Sequence, residues 1–296
     1  MLETPALVAQ AADLELVIRH VLAGLGHGIH AGRERGAGVE FSEYRAYAPG
    51  DEWRRVDWKL LARADRYYVR EAERDSHVAV WLWLDATASM AEPSRSVQGL
   101  DKFWFARTAL ACAAAIAQRQ GDAFGLVICT DGRIDFTPAS RGPRQLQRVL
   151  AALQRATPSG LLPDADVLRA NLHFARSPSM VLAATDALDW PSPLSEALLR
   201  LRHLRHDVRL LALRTQAEVD AQFASGHAYR DPEQPGVLHR FTAEERDAYR
   251  AAVGAHFDAV WANCRQHDVP LCVATIEHPV GAVLRDWLRP PSARKR

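Results

Sequence analysis

The chain has little cysteine, almost no net charge and no long apolar run. Cys112, Cys129, Cys264 and Cys272 are its four cysteines in 296 residues, and no two form a CxxC pair, which argues against a disulfide framework or a common zinc ribbon. The first two fall in segments that read as buried helix and strand, so a reduced, cytoplasmic chain is the simpler expectation. Lysine and arginine total 37 against 36 aspartate and glutamate. A net charge of +1 gives no global attraction to nucleic acid or anionic lipid, so partner choice must be local. The N-terminus, Met1-Leu2-Glu3-Thr4-Pro5, is acidic where a signal peptide is basic, and no apolar run approaches the roughly 18 residues that span a bilayer.

What is present fits a folded protein: 48% hydrophobic and 25% charged residues, in a length that suits one large domain plus a smaller unit. The most informative segment is Val78-Ala79-Val80-Trp81-Leu82-Trp83-Leu84, followed by Asp85-Ala86-Thr87-Ala88-Ser89. Seven apolar residues rich in Val and Trp predict a strand buried on both faces of a parallel sheet. Ligands of such sheets bind beyond the strand C-termini, where Asp85, Thr87 and Ser89 would stand. Hard oxygen groups of this kind suit Mg²⁺ or another hard divalent cation; a solvated strand end whose hydroxyls cap a turn is the alternative.

Elsewhere, residues 6–25 carry apolar side chains near helical spacing, and the glycine-rich stretch 26–38 reads as a connector, lacking the ending of a P-loop. Residues 40–75 mix six Tyr and Trp residues with nearly balanced charges, which favours internal ion pairs or a protein-binding surface; Pro49-Gly50-Asp51 reads as a turn and Tyr67-Tyr68-Val69 as a short strand. Beyond Ser89, helix and strand alternate. Helices are predicted at 100–120, 144–155, 164–174, 194–204, 243–266 and 280–288. Strands are predicted at 124–129, 180–184, 208–213 and 271–276, with Asp131-Gly132 as a hairpin turn. This predicts an α/β fold, a mostly parallel sheet with helices on both faces. Thr185 and Asp186 follow the strand at Met180, which brings a second carboxylate to the sheet edge of Asp85.

Asp85-Ala86-Thr87-Ala88-Ser89 resembles the Asp-x-Ser-x-Ser motif of the metal-ion-dependent adhesion site in von Willebrand factor A-like domains, with Thr in place of the first Ser. Upstream, Gly36-Ala37-Gly38-Val39-Glu40-Phe41, Arg45-Ala46-Tyr47-Ala48-Pro49-Gly50-Asp51-Glu52, Arg55-Val56-Asp57-Trp58 and Ala62-Arg63 resemble the signature of the domain of unknown function 58 family. The resemblance extends over roughly residues 30 to 215. It implies a bacterial protein with a von Willebrand factor A-like (Rossmann-like) domain, a non-catalytic adaptor partnering an AAA+ ATPase of the MoxR type and a client protein. It also implies Mg²⁺ or Mn²⁺ on Asp85, Thr87, Ser89 and Asp186, directly or through water, with a partner carboxylate completing the coordination. Such an ion would let a nearly neutral protein recognise one acidic side chain. The second loop of an adhesion site supplies a Thr, usually after Gly. The corresponding stretch here is Thr157-Pro158-Ser159-Gly160-Leu161-Leu162-Pro163-Asp164, so Thr157, Ser159 and Asp164 are the replacements on offer and the site is degenerate in this respect.

Catalytic readings find less support. Haloacid dehalogenase-type phosphatases need a second Asp where Thr87 stands. A metal-dependent phosphoesterase or nuclease using Asp85 and Asp186 is the main enzymatic alternative. Cys264-x-x-His267 with Cys272 and His278 matches no familiar zinc spacing, and His27-x-x-His30 and His203-x-x-His206 are isolated pairs. Ser225 lacks the Gly-x-Ser-x-Gly elbow of hydrolases, and Ser292-Ala293-Arg294-Lys295 meets Ser-x-x-Lys only within a tail expected to be disordered, so neither supports nucleophilic catalysis. The expected organisation is an N-terminal unit over 1–75, a von Willebrand factor A-like domain over 76–289 and a disordered tail over 290–296. Arg45, Asp51, Arg55, Asp57 and Trp58 are either a structural ion-pair knot, the favoured reading, or part of the partner surface.

Overall fold

The computed structural model describes residues 14–24, 43–46, 67–71, 79–172, 177–222, 228–230, 236, 238–240 and 242–289. The chain divides into two compact units, one of Met1–Gly26 with Val78–Arg296 and the other of His27–His77. The smaller unit contains β1 (Glu43–Ala46) and β2 (Tyr68–Glu71), which pair antiparallel with Arg45 opposite Val69. The turn at Pro49 and the positions Asp51, Arg55, Asp57 and Trp58 lie outside the described residues, as do 290–296.

The larger unit is built on β3 (Val80–Asp85), whose six residues are all buried. Asp101 then caps α2 (Lys102–Gln120), its carboxylate accepting from the Trp104 amide at 2.5 Å, and Gly121 ends it in the left-handed region at φ 76°. The chain returns as β4 (Phe124–Thr130), again buried throughout. It reverses at Asp131 and Gly132, both with positive φ, into β5 (Arg133–Ser140). Next come α3 (Pro143–Arg155), α4 (Ala165–Asn171), β6 (Met180–Thr185), α5 (Pro193–His203), β7 (Asp207–Arg214) and α6 (Gln216–Asp220). A small antiparallel pair follows, β8 (Ala228–Arg230) with β9 (Leu238–Arg240). The unit closes with α7 (Ala243–Gln266), β10 (Leu271–Thr275) and α8 (Val280–Leu288).

Six strands form one sheet in the order β10-β7-β6-β3-β4-β5, parallel except for β5 at the edge. The alternation of strand side chains splits the core into two layers. Trp81, Trp83, Val127, Cys129, Val181, Ala183, Val208 and Leu210 pack with Leu168 of α4, Leu198 of α5 and Val260 of α7. Helix α2 packs on β3 as well, contributing none of its residues to that cluster. The first helix, α1 (Leu14–Gly24), buries Leu14, Val17, Ile18, Val21 and Leu22 and packs against α2, α3 and α8. It therefore belongs to the sheet unit, whereas the sequence reading grouped it with residues up to 75; its apolar face finds its cover on α2, which sequence distance conceals.

One close approach fixes the register of β3 on β4. Gly125 stands opposite Trp81, and a Cβ there would come within 2.3 Å of the indole ring and 2.9 Å of the Thr137 carbonyl. Only a bare backbone lets the Trp81 ring lie across the neighbouring strand, where it stacks on Phe136 at 5.4 Å.

Candidate functional site at the carboxyl edge of the sheet

Strand β3 runs on to α2 and β4 on one side, while β6 lies against its other side, so the strand order reverses between β3 and β6. Ligands of open α/β sheets bind at such a switch point, outside the strand C-termini. Asp85 ends β3, and Thr185 and Asp186 end β6.

Asp85 is 2% exposed. Its Oδ1 accepts from the Thr87 amide at 3.0 Å and the Thr87 hydroxyl at 2.8 Å, and its Oδ2 accepts from the Thr185 hydroxyl at 2.6 Å. The Thr87 and Ser89 hydroxyl oxygens lie 3.2 Å apart, and the short 3-10 turn Ala88–Ala91 presents Ser89 back toward Thr87. Three of the four residues expected at a metal site are thus linked by hydrogen bonds through the Thr87 hydroxyl. Burial, and then the charge of Asp186, push the Asp85 carboxyl up to about 6, against the opposing hydrogen bonds from Thr185 and Thr87. The hydrogen-bond donors to Asp85 among the described residues are two hydroxyls and one amide, none of them cationic.

Asp186 is differently placed. Its Oδ1 accepts from the Leu188 amide at 3.3 Å and its Oδ2 faces the Lys102 ammonium at 3.3 Å. Lys102, 1% exposed, also donates to Glu218 Oε1 at 2.6 Å. Burial disfavours the charged lysine, but the negative charges of Asp186 and Glu218 outweigh it and leave the pKa above the ordinary lysine value. The donor set therefore fits a hard divalent ion at Asp85, Thr87 and Ser89, with Asp186 already half-engaged.

The second loop meets the first through backbone. Ser159 donates its amide to the Ala86 carbonyl at 2.9 Å, Ala88 donates to the Gly160 carbonyl at 2.9 Å, and Asp131 and Gly132 donate to the carbonyls of Ser159 and Leu161. Gly160 takes φ 62°, where a Cβ would fall 2.5 Å from Asp131 Oδ1. Of the three replacements for the missing threonine, Ser159 has its hydroxyl 3.2 Å from that of Thr130, and Thr157 and Asp164 are exposed. Leu161 and Leu188, on the loops flanking the site, are also exposed, at 53% and 40%.

Lys102, Glu218, the Thr185 hydroxyl and His256 escaped sequence reasoning. His256 Nε2 lies 2.8 Å from the Ala187 carbonyl and steadies the loop after β6. One signal was available for Lys102: a lysine opening a helix opposes the helix dipole and stands beside Phe103-Trp104-Phe105, a poor position for a solvated cation. The remaining sequence candidates are dispersed. Cys264 is buried in α7, the His267 ring meets that of His203 at 5.3 Å, and His278 hydrogen-bonds Thr275. Among the described residues no group of three His, Cys, Asp or Glu side chains is placed to hold a metal, and no helix is long and apolar enough to cross a membrane.

Comparison with known proteins bears on this geometry. The chain is 30% identical to the uncharacterized protein Rv1480 of Mycobacterium tuberculosis, over 97% of its own length and 88% of that relative. Among solved structures it is similar to the conserved hypothetical protein BatB from Bacteroides thetaiotaomicron, with a TM-score of 0.43 at 13% identity, covering 71% of this chain and 96% of that one. It is likewise similar to the SpRpn10 VWA domain, with a TM-score of 0.41 at 8% identity, covering 70% and 94%. The six-stranded, mostly parallel sheet is the α/β architecture that the alternation of helix and strand predicts. A family model described as "Protein of unknown function DUF58" matches residues 43–258, and the chain belongs to that family.

Proposed function

We propose that the protein is a non-catalytic, cytoplasmic interaction module, an adaptor between a MoxR-type AAA+ ATPase and a client protein, whose contact face is the sheet edge around Asp85. The observation that carries this reading is the convergence of Asp85, Thr87 and Ser89 at the switch point, a buried carboxylate held by hydroxyls with no cation among its hydrogen-bond partners in the described residues. Mg²⁺ or Mn²⁺ on these three oxygen groups, with Asp186 behind them, would supply the absent charge and leave a position for a partner's carboxylate. The exposed Leu161 and Leu188 suit apolar side chains beside that acidic residue.

Nucleophilic chemistry is disfavoured by the same surroundings. The Cys129 thiol is fully buried, accepts from the Trp83 indole at 2.9 Å and is held far above the ordinary thiol range by burial. Among the described residues the partners of the Thr87 hydroxyl are Asp85 and Ser89, and that of Ser89 is Thr87, with no histidine base among them.

Affinity capture of the full chain from its native lysate, with and without chelator, tests this reading. An AAA+ ATPase should co-purify and be lost on chelation and in Asp85→Ala, with the variant still folded by circular dichroism. Its absence in both conditions would overturn the adaptor reading. Metal-dependent turnover of a phosphoester, abolished by the same substitution, would establish the enzyme using Asp85 and Asp186 instead.

A further inference from the structure

Lys102 opens α2 at the end of the helix where a positive charge is least welcome, yet its side chain is almost wholly buried. Its two carboxylate partners come from other elements, Asp186 from the end of β6 and Glu218 from α6. Both are fixed independently of it. Glu218 Oε2 accepts from the Thr215 amide at 2.7 Å in the capping box of α6, and Asp186 Oδ1 accepts from the Leu188 amide. The ammonium therefore sits between two anchored anions, closer to Glu218 at 2.6 Å than to Asp186 at 3.3 Å. Asp85 itself receives only hydroxyl and amide donors among the described residues.

We propose that Lys102 is a built-in counter-cation that competes with a divalent ion for Asp186, with Glu218 drawing the ammonium aside, so that the Lys102–Glu218 pair sets how tightly the site of Asp85, Thr87 and Ser89 holds Mg²⁺ or Mn²⁺. The proposal rests on the divalent-ion reading of those three residues. With the ammonium in place, one of the two carboxylates at the sheet edge is already neutralised, and a dication that draws on Asp186 as well as Asp85 must compete with the ammonium for it. Weakening the hold of Glu218 moves the ammonium fully onto Asp186; removing the ammonium frees Asp186 altogether.

The test is Mn²⁺ binding to the full chain, read from the electron paramagnetic resonance of the free ion, with Asp85→Ala as the control for binding elsewhere. Glu218→Gln should bind Mn²⁺ more weakly than the unaltered protein. Lys102→Met leaves two buried carboxylates without their cation, so the double variant Lys102→Met/Glu218→Gln, which also removes one of them, keeps the test independent of that strain. It should bind Mn²⁺ at least about tenfold more tightly, as expected for releasing a second carboxylate at the sheet edge, and the gain should vanish when Asp85→Ala is added. Equal or weaker binding by the double variant, or tighter binding by Glu218→Gln, would overturn the proposal. Binding that depends on Asp85 but is indifferent to residues 102 and 218 would overturn it alone and leave the ion site standing. No binding in any variant would remove both.

Discussion

Replacing Asp85 by Asn should stabilise the protein at neutral pH. The Asp85 carboxyl titrates at about 6 in the folded chain against 3.8 ordinarily, with burial as the main cause. Between those values the folded state binds a proton that the unfolded chain has released. The native state is therefore favoured below about pH 3.8, and the advantage is lost as pH rises through about 6. At about 1.36 kcal/mol per pH unit, the ionised group costs the folded state about 3 kcal/mol at pH 7.5. An asparagine would resemble the protonated acid: its oxygen can accept from Thr87, and its amide can donate to Thr185 if that hydroxyl turns. Guanidinium denaturation of both proteins in chelator, followed by tryptophan fluorescence from pH 3.5 to 8, measures the difference directly. Asp85→Asn should be more stable by about 3 kcal/mol at pH 7.5, and the two curves should converge near pH 4. A gap that does not change with pH, or an asparagine variant less stable at pH 7.5, would refute the claim that burial and the charge of Asp186 raise the Asp85 carboxyl.

Other substitutions probe the frame. Gly125→Ala forces a methyl group into the Trp81 ring, so a loss of roughly 1 to 3 kcal/mol is expected from overpacking, seen as a lower denaturation midpoint; an unchanged midpoint would show that the ring can move aside. Gly160→Ala combines positive φ with a clash against Asp131, and should cost about 1 kcal/mol or more of stability, read as a lower midpoint. It should also abolish ATPase capture if the second loop forms part of the contact face. Cys129 should resist thiol reagents in the folded protein at pH 8 and react only on unfolding, because burial holds it protonated; rapid labelling at Cys129, located by mass spectrometry, would contradict its buried place on β4.

The elements that local chemistry dictates were legible in the sequence. Val80–Asp85 is a continuous apolar run with a carboxylate at its end, Asp131 and Gly132 announce a hairpin, and the bounds of α7 and α8 follow from periodicity alone. Asp85, Thr87 and Ser89 were recognisable because their spacing is local. What escaped depends on distance along the chain. Lys102 meets Asp186 and Glu218 across 84 and 116 positions, and nothing near any of the three residues names the others. The first helix was assigned to the wrong unit for the same reason, since its apolar stripe says that it needs a cover and not which one. The β8–β9 pair, three residues a side, is too short to display a period.

The second loop is held to its neighbours through backbone amides and carbonyls: Ser159 to Ala86, Ala88 to Gly160, and Asp131 and Gly132 to Ser159 and Leu161. Side chains add to this at Ser159, whose hydroxyl meets that of Thr130, and at Leu162, which packs on the core, whereas Leu161 stands exposed. Its tip is consequently an interchangeable fitting on a fixed mount. A relative could carry a threonine, a leucine or an acid at position 161 while the sheet beneath stayed as it is, and a panel of residues introduced at that one position would test whether the proposed contact face reads it, without refolding the domain.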